Sequence, residues 1–220
     1  MIYSNYDNLT ARLRAAGDYL WPLALRLILF WDFWEAGYGN FRGQNWFADI
    51  PWADWQQGFP WRFSTLGPDL NWLAATWGEM IFAAPLLLGL FTRFAAISLL
   101  VITAVATAAV HWPANWDSLA QLWSGYVITA DGAGNYKLPL LLAIMLLPLD
   151  FHGGGRVSLD HLLLKLTGRD NALTDRFGDG IAAALLFAVL GVATVFVEPA
   201  WGIGFFVLSF VVGLSPLFRR

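Results

Sequence analysis

Six stretches of mostly apolar residues, near 19–39, 70–91, 93–112, 136–152, 181–198 and 200–218, dominate this chain. Each comes close to the roughly 20 residues that an α-helix needs to cross bilayer hydrocarbon. Inside hydrocarbon every backbone polar group must be satisfied within the protein, so such stretches fold as helices. The expected fold class is all-α, a polytopic membrane helix bundle with about six transmembrane helices. The fourth stretch is the weakest, because its apolar core from Leu138 to Leu149 is short and carries Pro139 and Pro148. Composition agrees: 58% of residues are hydrophobic and 13% charged, against about 25% charged in soluble domains. The first apolar run contains Arg26, Asp32 and Glu35 and lacks a small-residue cleavage site, so it reads as a retained anchor rather than a signal peptide.

The basic residues divide by side. Arg12, Arg14, Arg93, Arg156, Lys165, Arg169, Arg176, Arg219 and Arg220 fall on one side, and Arg42, Arg62 and Lys137 on the other. By the positive-inside rule both termini are cytoplasmic, in a bacterial inner membrane. Tryptophan shows the opposite bias. Trp31, Trp34, Trp46, Trp52, Trp55, Trp61, Trp72, Trp77, Trp112, Trp116, Trp123 and Trp201 lie on or near the outer half, and only Trp21 at the inner edge. The Trp-rich outer loop 40–69 and a second outer loop, 112–135, supply much of this asymmetry. The chain then divides into a cytoplasmic segment 1–18, a four-helix core 19–166, a cytoplasmic linker 167–180 and a C-terminal hairpin 181–220. Inside, the run Gly153-Gly154-Gly155-Arg156-Val157-Ser158-Leu159-Asp160 reads as a flexible turn, with Ser158 capping an amphipathic helix through Leu166.

The charges within the apolar stretches carry the functional signal. At about 1.5 Å of rise per residue, Glu35 lies about 6 Å from the outer ends, Asp32 about 10 Å, Glu79 about 13 Å and Arg26 about 20 Å. Asp32 and Glu35 are neighbours on one helix face, whereas Arg26 faces away from Glu35 and is expected to reach Glu79 on another helix. Thr103, Thr107 and His111 stack at four-residue spacing and are expected to face the acids. Two readings stay open. In one, Arg26 and Glu79 form a buried pair that fixes helix register. In the other, Glu79, Asp32, Glu35 and His111 line an outward pocket for a quinone headgroup, a proton path or a metal. Two carboxylates as close as Asp32 and Glu35 repel when both are ionised, which suits proton exchange. Arg26 and Thr107 are further candidates for the quinone pocket, and Trp31 and Trp77 are the aromatic candidates for its wall.

Other chemistries are disfavoured. The chain has no cysteine, which removes thiolate metal sites, iron–sulfur clusters and covalent haem attachment. The topology puts His111 outside and His152 and His161 inside, too far apart to bracket one haem. Beyond the start, Met80 and Met145 are the only thioethers, too few for copper(I) transport. No metal motif is present, and no basic stripe suggests nucleic acid. In the hairpin, Gly180, Ala184 and Ala188 line one face and Gly202, Ser209 and Gly213 another, small-residue stripes suited to clamping the hairpin on the four-helix core, on a partner or in a homo-oligomer.

The run from Glu79 through Pro85-Leu-Leu-Leu-Gly89-Leu-Phe-Thr-Arg93, the earlier Leu25-Arg26-Leu27 and the glycine turn before Ser158-Leu159-Asp160 resemble the DoxX family of small four-helix membrane proteins. The likeness covers about residues 20–165. The Trp-rich outer loop resembles the HvfX-type branch, found beside maturation enzymes for copper-binding, ribosomally made peptides. The longer loop at 113–135 and the added hairpin depart from the compact family pattern. The resemblance implies an integral subunit of a quinone-linked redox system, with Arg26, Glu79 and Arg93 matching the family's polar signature, and no well-defined catalytic residues. Two further expectations stand beside it: a non-enzymatic membrane partner in handling a copper-binding peptide, and a passive membrane scaffold. No side chain here carries electrons, so an oxidoreductase role requires a redox partner subunit.

Overall fold

The computed structural model describes residues 2–50, 66–113, 115–129, 134–169 and 179–214. Trp52, Trp55, Trp61 and Arg62 of the outer loop, and Arg176, Arg219 and Arg220, lie outside them. The described residues form eight α-helices and no strand: α1 (Ile2–Arg42), α2 (Pro68–Leu88), α3 (Thr92–Ala106), α4 (Leu119–Ser124), α5 (Lys137–His152), α6 (Leu159–Leu166), α7 (Asp179–Thr194) and α8 (Pro199–Leu214). A short 3-10 turn follows α1 at Phe47–Asp49, and α3 runs on as a π-helical turn over Thr107–His111. One 41-residue helix carries residues 2–18 and the first apolar stretch together. Pro22 inside it is tolerated.

Helices α1, α2, α3 and α5 build the core. Leu29 and Phe33, Ala83 and Leu86, Ala95, Ala96, Leu99 and Leu100, and Leu146 and Leu149 meet in one buried cluster. The alanines let the backbones approach, as in other helix pairs packed without a hydrophobic driving force. Gly37 lets α1 pack tightly on α2: a Cβ built there would lie 2.8 Å from Met80 Cγ and 2.9 Å from the Thr76 carbonyl.

Burial within α1 identifies the medium outside. Arg26 is 1% exposed while the adjacent Leu27 and Ile28 are each 50% exposed. In water that arrangement is inverted, since leucine is buried and arginine left out. Against lipid it is the favoured one. By length and composition, Thr92–His111 is the one described helix fit to cross a bilayer, while Ile181–Thr194 and Pro199–Leu214 are apolar but shorter. The six-span expectation is thus supported in its helical content and only partly in its spans.

The hairpin halves meet through their small residues. Ser209 donates to the Ala184 carbonyl at 2.7 Å, and a Cβ on Gly213 would touch Ala184 Cβ at 3.4 Å. Glu198, at the hairpin tip, accepts from the indole N–H groups of Trp112 (3.0 Å) and Trp116 (3.3 Å). Trp201 packs edge-on against both rings. The tip is thereby tied to the end of α3 and the loop after it.

Candidate functional site

The polar residues singled out by the sequence separate to opposite ends of the core. At one end, the C-terminal part of α1, the N-terminal half of α2, the end of α3 and Phe196 surround a cavity of about 470 Å³. Its walls are mostly apolar, from Ala74, Ala75, Val101, Ile102 and Val105, with Trp46 and Phe47 at the rim. Glu79, Asn71, Asn40 and His111 supply the polar groups. Glu79 Oε2 is buried with no hydrogen-bond partner among the described residues. Buried polar atoms are normally satisfied, and one left open in a roomy cavity points to a ligand or water. His111 reaches the cavity from the last turn of α3, which is π-helical. Such turns reset the helix face and recur at functional sites.

Of the expected pocket residues, the structure brings Glu79 and His111 to one cavity and leaves the others elsewhere. Asp32 is half-buried and Glu35 exposed, and neither lines the cavity. Trp31 is exposed, and Trp77 stacks edge-on against Phe41 outside it. Thr103 and Thr107 are buried but do not face the acids. Their hydroxyls donate to the carbonyls one turn back, Leu99 (2.8 Å) and Thr103 (2.6 Å), the usual alternative for a helical threonine in an apolar setting.

Arg26 is the largest correction. It does not reach Glu79; its guanidinium sits at the other end of the core. There it donates to the carbonyls of Pro22 (3.3 Å), Leu87 (3.0 Å) and Val157. The α2 C-terminus beside it closes on left-handed Gly89, whose N–H bonds to Leu86 (3.1 Å) while that of Leu90 bonds to Pro85 (2.9 Å). A Cβ on Gly89 would collide with the Arg26 guanidinium and Ser158. Asp160 completes the arrangement. Its carboxylate accepts from the N–H of Phe91 (2.7 Å) and from both the N–H (2.9 Å) and hydroxyl (2.8 Å) of Thr92. Its own N–H donates to the Gly89 carbonyl at 2.8 Å. These bonds hold Phe91 at φ 48°, a conformation uncommon outside glycine.

The glycine-rich run is accordingly a packed clasp rather than a flexible turn. Gly154 is buried against Thr92 and Ser158, and Ser158 caps α6 by accepting from the His161 N–H at 3.1 Å, as the sequence predicts. Arg93 donates to the Phe151 carbonyl at 3.2 Å.

Most of the residues that carry the family likeness, Arg26, Gly89, Arg93 and the run from Gly153 to Asp160, meet in this clasp, and Glu79 lies apart from it. The DoxX family model matches residues 21–112. A Haemophilus influenzae protein described as uncharacterized is 37% identical over 155 residues, covering 70% of this chain and 91% of its own length. The chain belongs to the DoxX family. No solved structure matches it. DoxX proteins are membrane-associated, which agrees with the lipid-facing leucines of α1.

Sequence reasoning missed three features of this DoxX protein. Asn71 shares the cavity with Glu79, and the spacing Asn71, Ala75, Glu79 on one helix face was a usable signal. Glu198, in the turn between α7 and α8, binds two indoles, and a lone acid between two apolar stretches was the usable signal. Asp150, near the end of α5, has both carboxylate oxygens buried with no partner among the described residues, and a carboxylate directly after a short apolar core was the sign to follow.

Proposed function

We propose that this DoxX protein is a multi-pass inner-membrane subunit whose Glu79 cavity receives the ring of a quinone or quinol, as part of a redox system in which a partner supplies the electrons. The observation that carries the reading is the open Oε2 of Glu79 in a mostly apolar cavity of about 470 Å³. Small-ligand sites have this build, apolar walls with a few convergent polar groups. The group fits: a planar ring suits the alanine and valine walls, and its oxygens suit an acid, a histidine and an amide. A quinone supplies two-electron chemistry coupled to protons. Glu79 holds or releases a proton at its carboxyl oxygen, which apolar walls screen from bulk water. His111 and Asn71 orient the ring's polar edge. The cytoplasmic placement of both termini rests on the lysine and arginine asymmetry, with the cavity facing outward.

The test is extraction of the purified protein and quantification of bound quinone, against a Glu79→Gln variant with unchanged helix content. The proposal expects near-stoichiometric quinone in the native protein and a large loss in the variant. Equal quinone in both would remove Glu79 from the site. No quinone in either would sink the reading and favour the alternative, a partner of a copper-binding peptide. That alternative draws on the aromatic surface of Trp112, Trp116 and Trp201 around Glu198.

A further inference from the structure

A second cavity, of about 650 Å³, lies at the opposite end of the core from Glu79, among α1, the N-terminus of α3, the glycine-rich run and α6. Arg93, Arg156 and Arg169 line it, with His152 and His161. These three arginines come from separate elements: the first turn of α3, the glycine-rich run and the residue region after α6. Asp18 and Asp160 also line it. Asp160 is already engaged, its oxygens accepting three hydrogen bonds from Phe91 and Thr92, and Arg26 stands behind it as a counter-charge. Asp18 lies near Arg156, which also donates to the Tyr19 hydroxyl at 3.3 Å and lies over the Tyr19 ring. A guanidinium has five donors. Among the described residues the side chains of Arg93 and Arg156 each make one hydrogen bond and that of Arg169 makes none. The cavity therefore holds more positive charge and more donors than its own acids and carbonyls use.

Beside these cations the wall is apolar and open to lipid. Phe91 and Phe94 are exposed, and α6 presents exposed Leu162, Leu163 and Leu166. An amphipathic helix with such a face lies in the plane of a membrane interface. Cationic donors next to acyl-sized apolar surface at the cytoplasmic level match one kind of ligand, a phosphate diester carrying hydrocarbon chains.

We propose that this cavity binds a phosphate-bearing anion, the headgroup of an anionic phospholipid of the inner leaflet, with Arg156 and Arg169 as principal donors. The site depends on the membrane placement and not on the quinone reading of the Glu79 cavity, so either stands if the other fails.

The experiment is a titration of the full-length protein, purified in zwitterionic detergent, with phosphatidylglycerol, phosphatidylcholine or inorganic phosphate, reading the thermal midpoint. The expected result is a saturable rise with phosphatidylglycerol and none with phosphatidylcholine. Removing one arginine near a membrane surface weakens anionic-lipid binding about fivefold, so Arg169→Gln should lower the apparent affinity by about that factor and Arg156→Gln/Arg169→Gln by more. Arg169→Gln removes no side-chain bond of the described fold, so misfolding of the double variant leaves the test intact. Arg12→Gln/Arg14→Gln, basic residues on the same side but outside the cavity, should bind as the native protein does. An equal rise with inorganic phosphate would keep the site and name free phosphate as its source. The proposal is overturned if phosphatidylcholine raises the midpoint equally, if Arg169→Gln binds unchanged, or if Arg12→Gln/Arg14→Gln loses as much.

Discussion

Replacing Arg26 by alanine should be among the most damaging single changes in this protein. The side chain is 1% exposed and donates to three carbonyls, those of Pro22, Leu87 and Val157. It thereby joins α1, the end of α2 and the glycine-rich run. Truncation leaves those carbonyls without their charged donor and Asp160 without its counter-charge. Breaking a buried ionic arrangement by removing one member costs about 3–5 kcal/mol, and hydrogen bonds to charged groups contribute about 1.5–3 kcal/mol each. The first route places Arg26→Ala near 3–5 kcal/mol and the summed bonds set a higher ceiling, so the expected loss is at least about 3 kcal/mol, whereas Arg26→Lys keeps the charge but not the planar fork and should lose roughly half. The assay is reversible unfolding in mixed micelles, read by far-ultraviolet circular dichroism. A loss below about 1 kcal/mol for Arg26→Ala would refute the clasp. The same assay separates the two readings of the buried charges. Because Arg26 and Glu79 occupy opposite ends of the core, an Arg26→Ala and Glu79→Gln double-mutant cycle should show coupling within about 0.5 kcal/mol. Coupling above about 1 kcal/mol would restore the pair and remove Glu79 from any ligand site.

Other consequences can be checked independently. Asp160→Ala abolishes three accepted hydrogen bonds and should lose about 2–4 kcal/mol, while Asp160→Asn, keeping one acceptor oxygen, should lose less in the same unfolding assay. Glu198→Gln should weaken both indole bonds at the hairpin tip by about 1 kcal/mol in sum, with a shift in tryptophan emission; unaltered emission would count against the tie between hairpin and core. Since the chain has no native cysteine, a membrane-impermeant maleimide added to intact spheroplasts should label Asp117→Cys and not Lys165→Cys, and the reverse pattern would invert the proposed topology.

The helices themselves were legible because each apolar run has its own length. The second stretch was read as 70–91 and is Pro68–Leu88; the fourth was read as 136–152 and is Lys137–His152, its prolines notwithstanding. The cap at Ser158 followed from local chemistry alone, and the small-residue faces of α7 and α8 were legible as faces but not as partners of each other, which the Ser209–Ala184 bond makes them. What was not legible was vertical placement. Helix-face counting pointed Arg26 toward Glu79, but a long arginine side chain reaches along its own helix, and Arg26 points toward the carbonyls freed at the end of α2. The threonine stripe failed for a related reason: regular spacing gives the direction of a residue but not whether its hydroxyl is already used by its own helix. The π-helical turn at Thr107–His111 also breaks the four-residue spacing on which the stripe depended. The acids Asp32 and Glu35 were noticed for their charge, yet burial and an open carboxylate oxygen, which only the fold reveals, distinguish Glu79 from them.

The central claim is that the Glu79 cavity holds a quinone ring, and a photoreactive quinone analogue tests it most directly. After illumination of the protein in membranes and peptide mapping, the account predicts adducts concentrated on the cavity walls, between Val101 and His111 and between Asn71 and Glu79. Excess unlabelled quinone should suppress them, and Glu79→Gln should reduce them. Adducts spread over the lipid-facing residues of α1 and α8, insensitive to competitor, would contradict it.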